Sequence, residues 1–187
     1  MNFILSMETR KQFLTTLGVG MTVLAIGKNH FQKTSPGEPQ LQFAFTATIT
    51  LGVVQEIGET PHGRRRIIPI TGGSFEGPSM KGTVELGGAD WQVIRPDGVA
   101  ELDAKYTLKT DDGALIYIVN KGYRHGPTDV IQRLSRGEAV DPKEYYFRTT
   151  PVFETASSKY DFLNKYIIVA SAERKSDRVI IHFYKVL

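Results

Sequence analysis

From Val99 to Lys109 the chain alternates with period two, which on an extended segment puts Glu101, Asp103, Lys105 and Thr107 on one face and Leu102, Ala104, Tyr106 and Leu108 on the other. Asp103 and Lys105 are thus neighbours. Turned into an apolar interior they become a desolvated acid and base with shifted pKa values, suited to moving a proton. Turned outward they are an ordinary solvated face, the orientation that composition favours. A second constellation lies in Phe147-Arg148-Thr149-Thr150-Pro151-Val152-Phe153-Glu154-Thr155. Arg148 can orient a carboxylate, enolate or phenolate and Glu154 can act as a general base, or the two can simply pair with each other. Tyr117 adds a phenolic proton donor. The candidate catalytic residues are therefore Asp103, Lys105, Arg148, Glu154 and Tyr117. Candidate ligand walls are Asp90, Trp91, Tyr106, Tyr146 and Phe153, although aromatic strand residues more often fill a core. Asp90 is a turn residue first, retained because it adjoins the only tryptophan.

Other chemistries are not announced. The absence of cysteine rules out disulfides, thiolate metal sites and a cysteine nucleophile. His30, His62, His125 and His182 lack metal-ligand spacing. GxSxG, GxGxxG and GxxxxGK[ST] are also missing, and no cofactor is expected. The net charge of +3 is small, with acidic and basic residues interspersed, which argues against a nucleic-acid partner. One local exception is Arg64-Arg65-Arg66, placed in a loop after Pro61-His62-Gly63. These arginines either grip an anionic ligand or, as composition favours, form a solvated edge that discourages strand pairing.

The elements that must position these residues read as strands. Phe43 to Leu51 alternates with period two. Further strands are expected at Arg66–Thr71, Met80–Leu86, Trp91–Arg95, Val99–Lys109, Ala114–Lys121, Tyr145–Thr150, Lys165–Glu173 and Arg178–Val186. Pro96-Asp97-Gly98 and Asp111-Asp112-Gly113 mark hairpins between them. Short connections make consecutive strands antiparallel neighbours, and closure removes the exposed edges that so many strands would leave. The fold class is mainly β, an antiparallel closed or nearly closed β-barrel with one short helix, preceded by an N-terminal signal-like helix. Glycines 72, 73, 77, 82, 87 and 88 suit bends and close backbone approaches. The helix is expected at Ser157–Leu163, capped by Ser157 or Ser158. Tyr123–Lys143 reads as an irregular lid or partner-contacting loop.

The apolar run Phe13–Ile26 follows Arg10-Lys11 and is short for a membrane span, which needs about 20 apolar residues. Residues 1–27 read as an export signal or anchor of a twin-arginine-like kind, 28–40 as a linker, and 41–187 as one barrel domain without a membrane span. Removing residues 1–27 leaves 21 basic and 19 acidic residues, because only Glu8, Arg10 and Lys11 are lost. The expected location is the periplasm. Ile180 and Ile181 fall on opposite faces of one strand, so a homo-oligomer is expected to cover the outer one.

The segments Thr71-Gly72-Gly73-Ser74-Phe75-Glu76-Gly77, Gly87-Gly88-Ala89-Asp90-Trp91, Leu102-Asp103-Ala104-Lys105-Tyr106, Thr110-Asp111-Asp112-Gly113-Ala114 and Tyr146–Thr155 occur in that order. Together they resemble the domain of unknown function 3237 family from about Leu41 to the end. The resemblance implies a barrel of the allene oxide cyclase type, a class that includes cofactor-free cyclases, lyases and binding proteins for small aromatic or polyketide-like molecules. Lys105 stands where the family often has arginine and Phe162 where tryptophan is common. A lysine offers a point charge in place of a bidentate fork. The function expected is a small-molecule-binding barrel, acting on an apolar or aromatic substrate as a cofactor-free lyase, isomerase or cyclase. The alternatives are a ligand carrier or sensor with the same pocket, and an interaction module with a filled barrel.

Overall fold

In the computed structural model, residues 37–187 are described; the expected export signal and residues 28–36 of the expected linker lie outside them. Ten strands follow in order: β1 (Leu41–Leu51), β2 (Gln55–Thr60), β3 (Gly63–Glu76), β4 (Lys81–Val84), β5 (Ala89–Ile94), β6 (Ala100–Thr110), β7 (Leu115–His125), β8 (Tyr146–Glu154), β9 (Ile168–Arg174) and β10 (Arg178–Val186). Neighbours run β1-β10-β9-β8-β7-β6, all antiparallel. β4 and β5 share the next position, each pairing with β6 on one side and β3 on the other. The long strand β3 then returns to β1, with Ala47 opposite Phe75, and closes an eight-position barrel. Closure brings backbones into contact where only glycine fits. At Gly73, φ is +140°, and an added Cβ would lie 2.1 Å from the Thr48 carbonyl oxygen.

Period-two alternation decides what faces inward. On β8, Phe147, Thr149, Pro151 and Phe153 are buried while Tyr146, Arg148, Thr150, Val152 and Glu154 are exposed. One end of the barrel is filled by aromatic packing: Phe45 stacks on Phe183 at 4.4 Å, with Phe75 and Phe153 edge-on at 5.7 and 6.0 Å. Tyr160 and Leu163, from a 3-10 segment at Ser158–Asn164, are buried in the same core. The Tyr160 hydroxyl donates to Asp112 at 3.1 Å and Lys159 Nζ to the same carboxylate at 2.6 Å, fastening this segment to the β6–β7 turn.

Three local expectations are corrected. The segment read as irregular, Tyr123–Lys143, holds the end of β7 and the helix α1 (Thr128–Ser135), which buries Val130 and Leu134. The segment expected to be the helix is 3-10, entered at Ser157 without a side-chain cap bond. Arg64-Arg65-Arg66 is not a loop but part of β3, paired with the polar strand β2, so its side chains alternate between faces.

Candidate functional site

At the end opposite the aromatic plug, the inward frame of several strands changes from apolar to polar. On β7, Ile116 and Ile118 are followed in the same frame by Asn120 and Arg124. On β9, Ile168, Ala170 and Ala172 lead to Arg174. β5 turns Asp90 and Gln92 inward, and β6 sets Ala104 beside Asp90 and Asn120. A relay of hydrogen bonds joins them. Arg66 Nε donates to Gln92 Oε1 at 3.0 Å, and Gln92 Nε2 donates to Asp90 Oδ2 at 2.5 Å. Asp90 Oδ1 accepts the Asp103 backbone N–H at 3.0 Å.

Burial pushes the Asp90 pKa up from the ordinary carboxylate value, outweighing the hydrogen bonds from Gln92 and Asp103 and the attraction of Arg124 and Arg66. Arg124 is 8% exposed. Burial, reinforced by repulsion from Arg66 and Arg174, brings its pKa down to about 10. Burial likewise raises the Tyr106 phenol, outweighing the opposite effect of the neighbouring Asn120 amide, whose approach falls short of a well-formed hydrogen bond. The buried Tyr106 hydroxyl, Asn120 Oδ1 and Thr149 Oγ1 have no hydrogen-bond partner among the described residues. Such orphaned groups cost stability in a core and are ready to bind a ligand.

The hollow they line is narrow, about 50 Å³, with Ile49, Ile70, Val179 and Ile181 as apolar walls. It admits a few waters, at ~10–15 Å³ each, or one small polar group. A vestibule of about 290 Å³ shares Ile68, Arg124 and Arg174 with this throat. Ile94, Ala100 and the α1 residues Ile131 and Leu134 give the vestibule an apolar wall, and Arg64 and Arg66 add charge. Two larger grooves, about 380 and 580 Å³, lie on the outer barrel face and share Gly122, Tyr123 and Thr150. Both are shallow and open, whereas the throat holds the desolvated groups. Chemically the throat combines a carboxyl that burial biases toward its neutral, proton-donating form with guanidinium groups that can stabilise an oxyanion.

The model of the family described as "Protein of unknown function (DUF3237)" matches residues 39–186. The chain belongs to this family. A UPF0311 protein of Rhodopseudomonas palustris is 48% identical over 148 residues, 79% of this chain and 97% of that protein. Its crystal structure superposes with a TM-score of 0.79, at 47% identity, over 82% of this chain and all of that one. A "beta-barrel like protein" of Acinetobacter baumannii gives a TM-score of 0.72 at 46% identity, covering 83% of this chain and 100% of its own. A more distant relative, 29% identical over 129 residues (69% of this chain, 71% of that protein), is the hydroalkoxylation enzyme of Penicillium herquei.

Within this DUF3237 barrel the residues singled out from sequence divide by face. Asp103 and Lys105 stand on the outer side of β6, 3.6 Å apart and half-exposed, with Lys105 Nζ 5.4 Å from the Trp91 ring. The apolar side of β6, with Tyr106, faces in. Arg148, Glu154 and Tyr117 are also outward. Arg148 lies over the Tyr146 ring at 5.5 Å, and Tyr117 sits across from Glu154. Arg148 and Glu154 form no ion pair with each other. Asp103 and Trp91 line the smaller outer groove; Tyr146 and Arg148 line the larger. Phe153 belongs to the aromatic plug. Of the named residues only Asp90 and Tyr106 reach the throat. Gln92, Asn120, Arg124, Thr149 and Arg174 were missed. Their signal was the inward frame itself: extending Ile116 and Ile118 by twos arrives at Asn120 and Arg124.

Proposed function

We propose that the barrel takes a small organic molecule, polar group first, into the throat at Asp90 and Tyr106 and moves a proton on it. The observation that carries this reading is the set of desolvated polar groups around one small hollow: Asp90 with a raised pKa, and Tyr106, Asn120 and Thr149 with unpartnered oxygens. Such groups are costly in a core built for stability alone. The hydroalkoxylation enzyme of Penicillium herquei supports the catalytic form. Hydroalkoxylation adds an O–H across a C=C bond, forming one C–O and one C–H bond from the π bond. It requires an acid at carbon and a base at the hydroxyl, and a buried carboxyl with a raised pKa is suited to donate or accept. The substrate class is therefore an apolar or aromatic molecule bearing a hydroxyl or an enolisable carbonyl, converted without group transfer.

The test is deuterium incorporation at carbon, followed by NMR in D2O across a panel of 2-allylphenols and phenolic ketones. Turnover above the protein-free background is expected, falling ~10²-fold or more in Asp90→Asn. Binding without incorporation across the panel would leave a ligand carrier and remove the enzyme.

A further inference from the structure

The barrel end where the throat opens carries an excess of positive charge that its own residues do not neutralise. Arg124 and Arg174 line both throat and vestibule, and Arg64 and Arg66 line the vestibule. Three carboxylates act on them. Glu56 pairs with Arg64 at 3.6 Å, Asp90 is engaged by Gln92 and the Asp103 N–H, and Asp177, near Arg174, pairs with Arg178 at 2.8 Å. Arg66 spends its Nε on the neutral Gln92 side chain. The guanidiniums of Arg124 and Arg174 make no hydrogen bond or ion pair among the described residues, and Arg124 is more than nine-tenths buried. Arg124 has the Phe147 ring 5.8 Å away and feels the longer-range attraction of Asp90, but neither group accepts a hydrogen bond from it. A desolvated guanidinium without an acceptor is unfavourable unless an anion completes it.

The surroundings restrict what that anion is. Beyond the arginines, Ile94, Ala100, Ile131 and Leu134 give the vestibule an apolar wall, with Gln132 and Ser135 of α1 as its neutral polar members. An inorganic ion would leave this wall facing water. The throat admits only a small head group, and the planar guanidinium fork matches a planar oxyanion.

We infer that the site binds an organic monoanion, its carboxylate or phenolate-type oxygen held by Arg124 and Arg174 and its apolar body lying in the vestibule against α1. The inference rests on the ligand-binding reading above and adds the ligand's charge and direction of entry. The anion supplies the acceptor that both arginines lack, and its oxygens can also accept from the hydroxyls of Tyr106 and Thr149.

Calorimetric titration of the full chain tests this with 3-phenylpropionate and 4-nitrophenolate against their neutral counterparts 3-phenylpropanamide and 4-nitroanisole. At least one anion is expected to bind about tenfold or more tightly than its neutral partner. The tighter of the two identifies the head group as carboxylate or phenolate. Arg124→Gln should remove that preference while leaving the melting temperature unchanged or raised, because it deletes an uncompensated buried charge. Arg174→Gln provides the same reading should Arg124→Gln not fold. Equal binding of anions and neutral analogues, or an anion preference that survives both substitutions, overturns the inference and leaves the ligand-binding barrel standing. Binding of neither class to the folded wild-type protein overturns both.

Discussion

Asp90 is a carboxylate held where water cannot solvate its charge, and its environment explains both its cost and its use. The folded protein binds its proton more tightly than the unfolded chain does. The stability this gives is fully present below the ordinary aspartate pKa of 3.8 and is lost as pH rises through the raised folded value. Asp90→Asn removes that loss. Its melting temperature relative to wild type should therefore be higher at neutral pH than below pH 3.8, and an equal difference at both would contradict the raised pKa. Tyr106 makes a complementary case. Its hydroxyl is buried beside the Asn120 amide without a well-formed hydrogen bond, so Tyr106→Phe should leave stability unchanged or raise it by up to ~1 kcal/mol while weakening ligand binding. A large fall in melting temperature would return Tyr106 to the scaffold.

At the scale of elements, what could be read from sequence was set by alternation and turn chemistry. β1, β6, β7 and β10 were visible because apolar residues alternate along them and Asp-Gly turns join β6 to β7. β2, Gln-Glu-Ile-Gly-Glu-Thr, was not, because it is mostly exposed and has no apolar face to repeat. α1 was hidden by its length of eight residues, which gives Val130 and Leu134 one repeat of helical spacing; Pro127 before it and Gly137 after it were the remaining signals. β6 showed two faces, and the sequence did not decide which turns inward. The apolar one does, which carries Asp103 and Lys105 outside and leaves Tyr106 within. The throat was largely illegible because its groups come from β5, β6, β7, β8 and β9, one or two from each, and only barrel closure assembles them. Closure itself is testable. Gly73→Ala should destabilise by roughly 1–3 kcal/mol in urea melts, since φ of +140° and the Thr48 carbonyl both oppose a Cβ there. A neutral effect would mean that β1 and β3 do not meet as described.

The whole molecule separates a packed end, an open polar end and an outer face. The homo-oligomer was expected from Ile180 on the outer side of its strand; we propose that the surface it uses is the grooved outer face. Trp91, Tyr123 and Tyr146, which line the two contiguous grooves, are 37%, 50% and 44% exposed. Arg65 and Lys121 lie beside Glu101 and Asp103 in the smaller one, so a two-fold pairing can set opposite charges across from each other. Sedimentation equilibrium at micromolar concentration should show a dimer or larger assembly that Tyr123→Glu weakens; a monomeric wild-type protein would refute it. The central claim, that the ligand enters the barrel at its arginine-rich end, is tested most directly by locating a heavy-atom ligand. Crystals soaked with 4-bromobenzoate should place the carboxylate on Arg124 and Arg174 and the anomalous bromine signal in the vestibule beside Ile131 and Leu134. Bromine found only in the outer grooves, by Trp91 or by Tyr146 and Arg148, would contradict the account and return the site to the outer face.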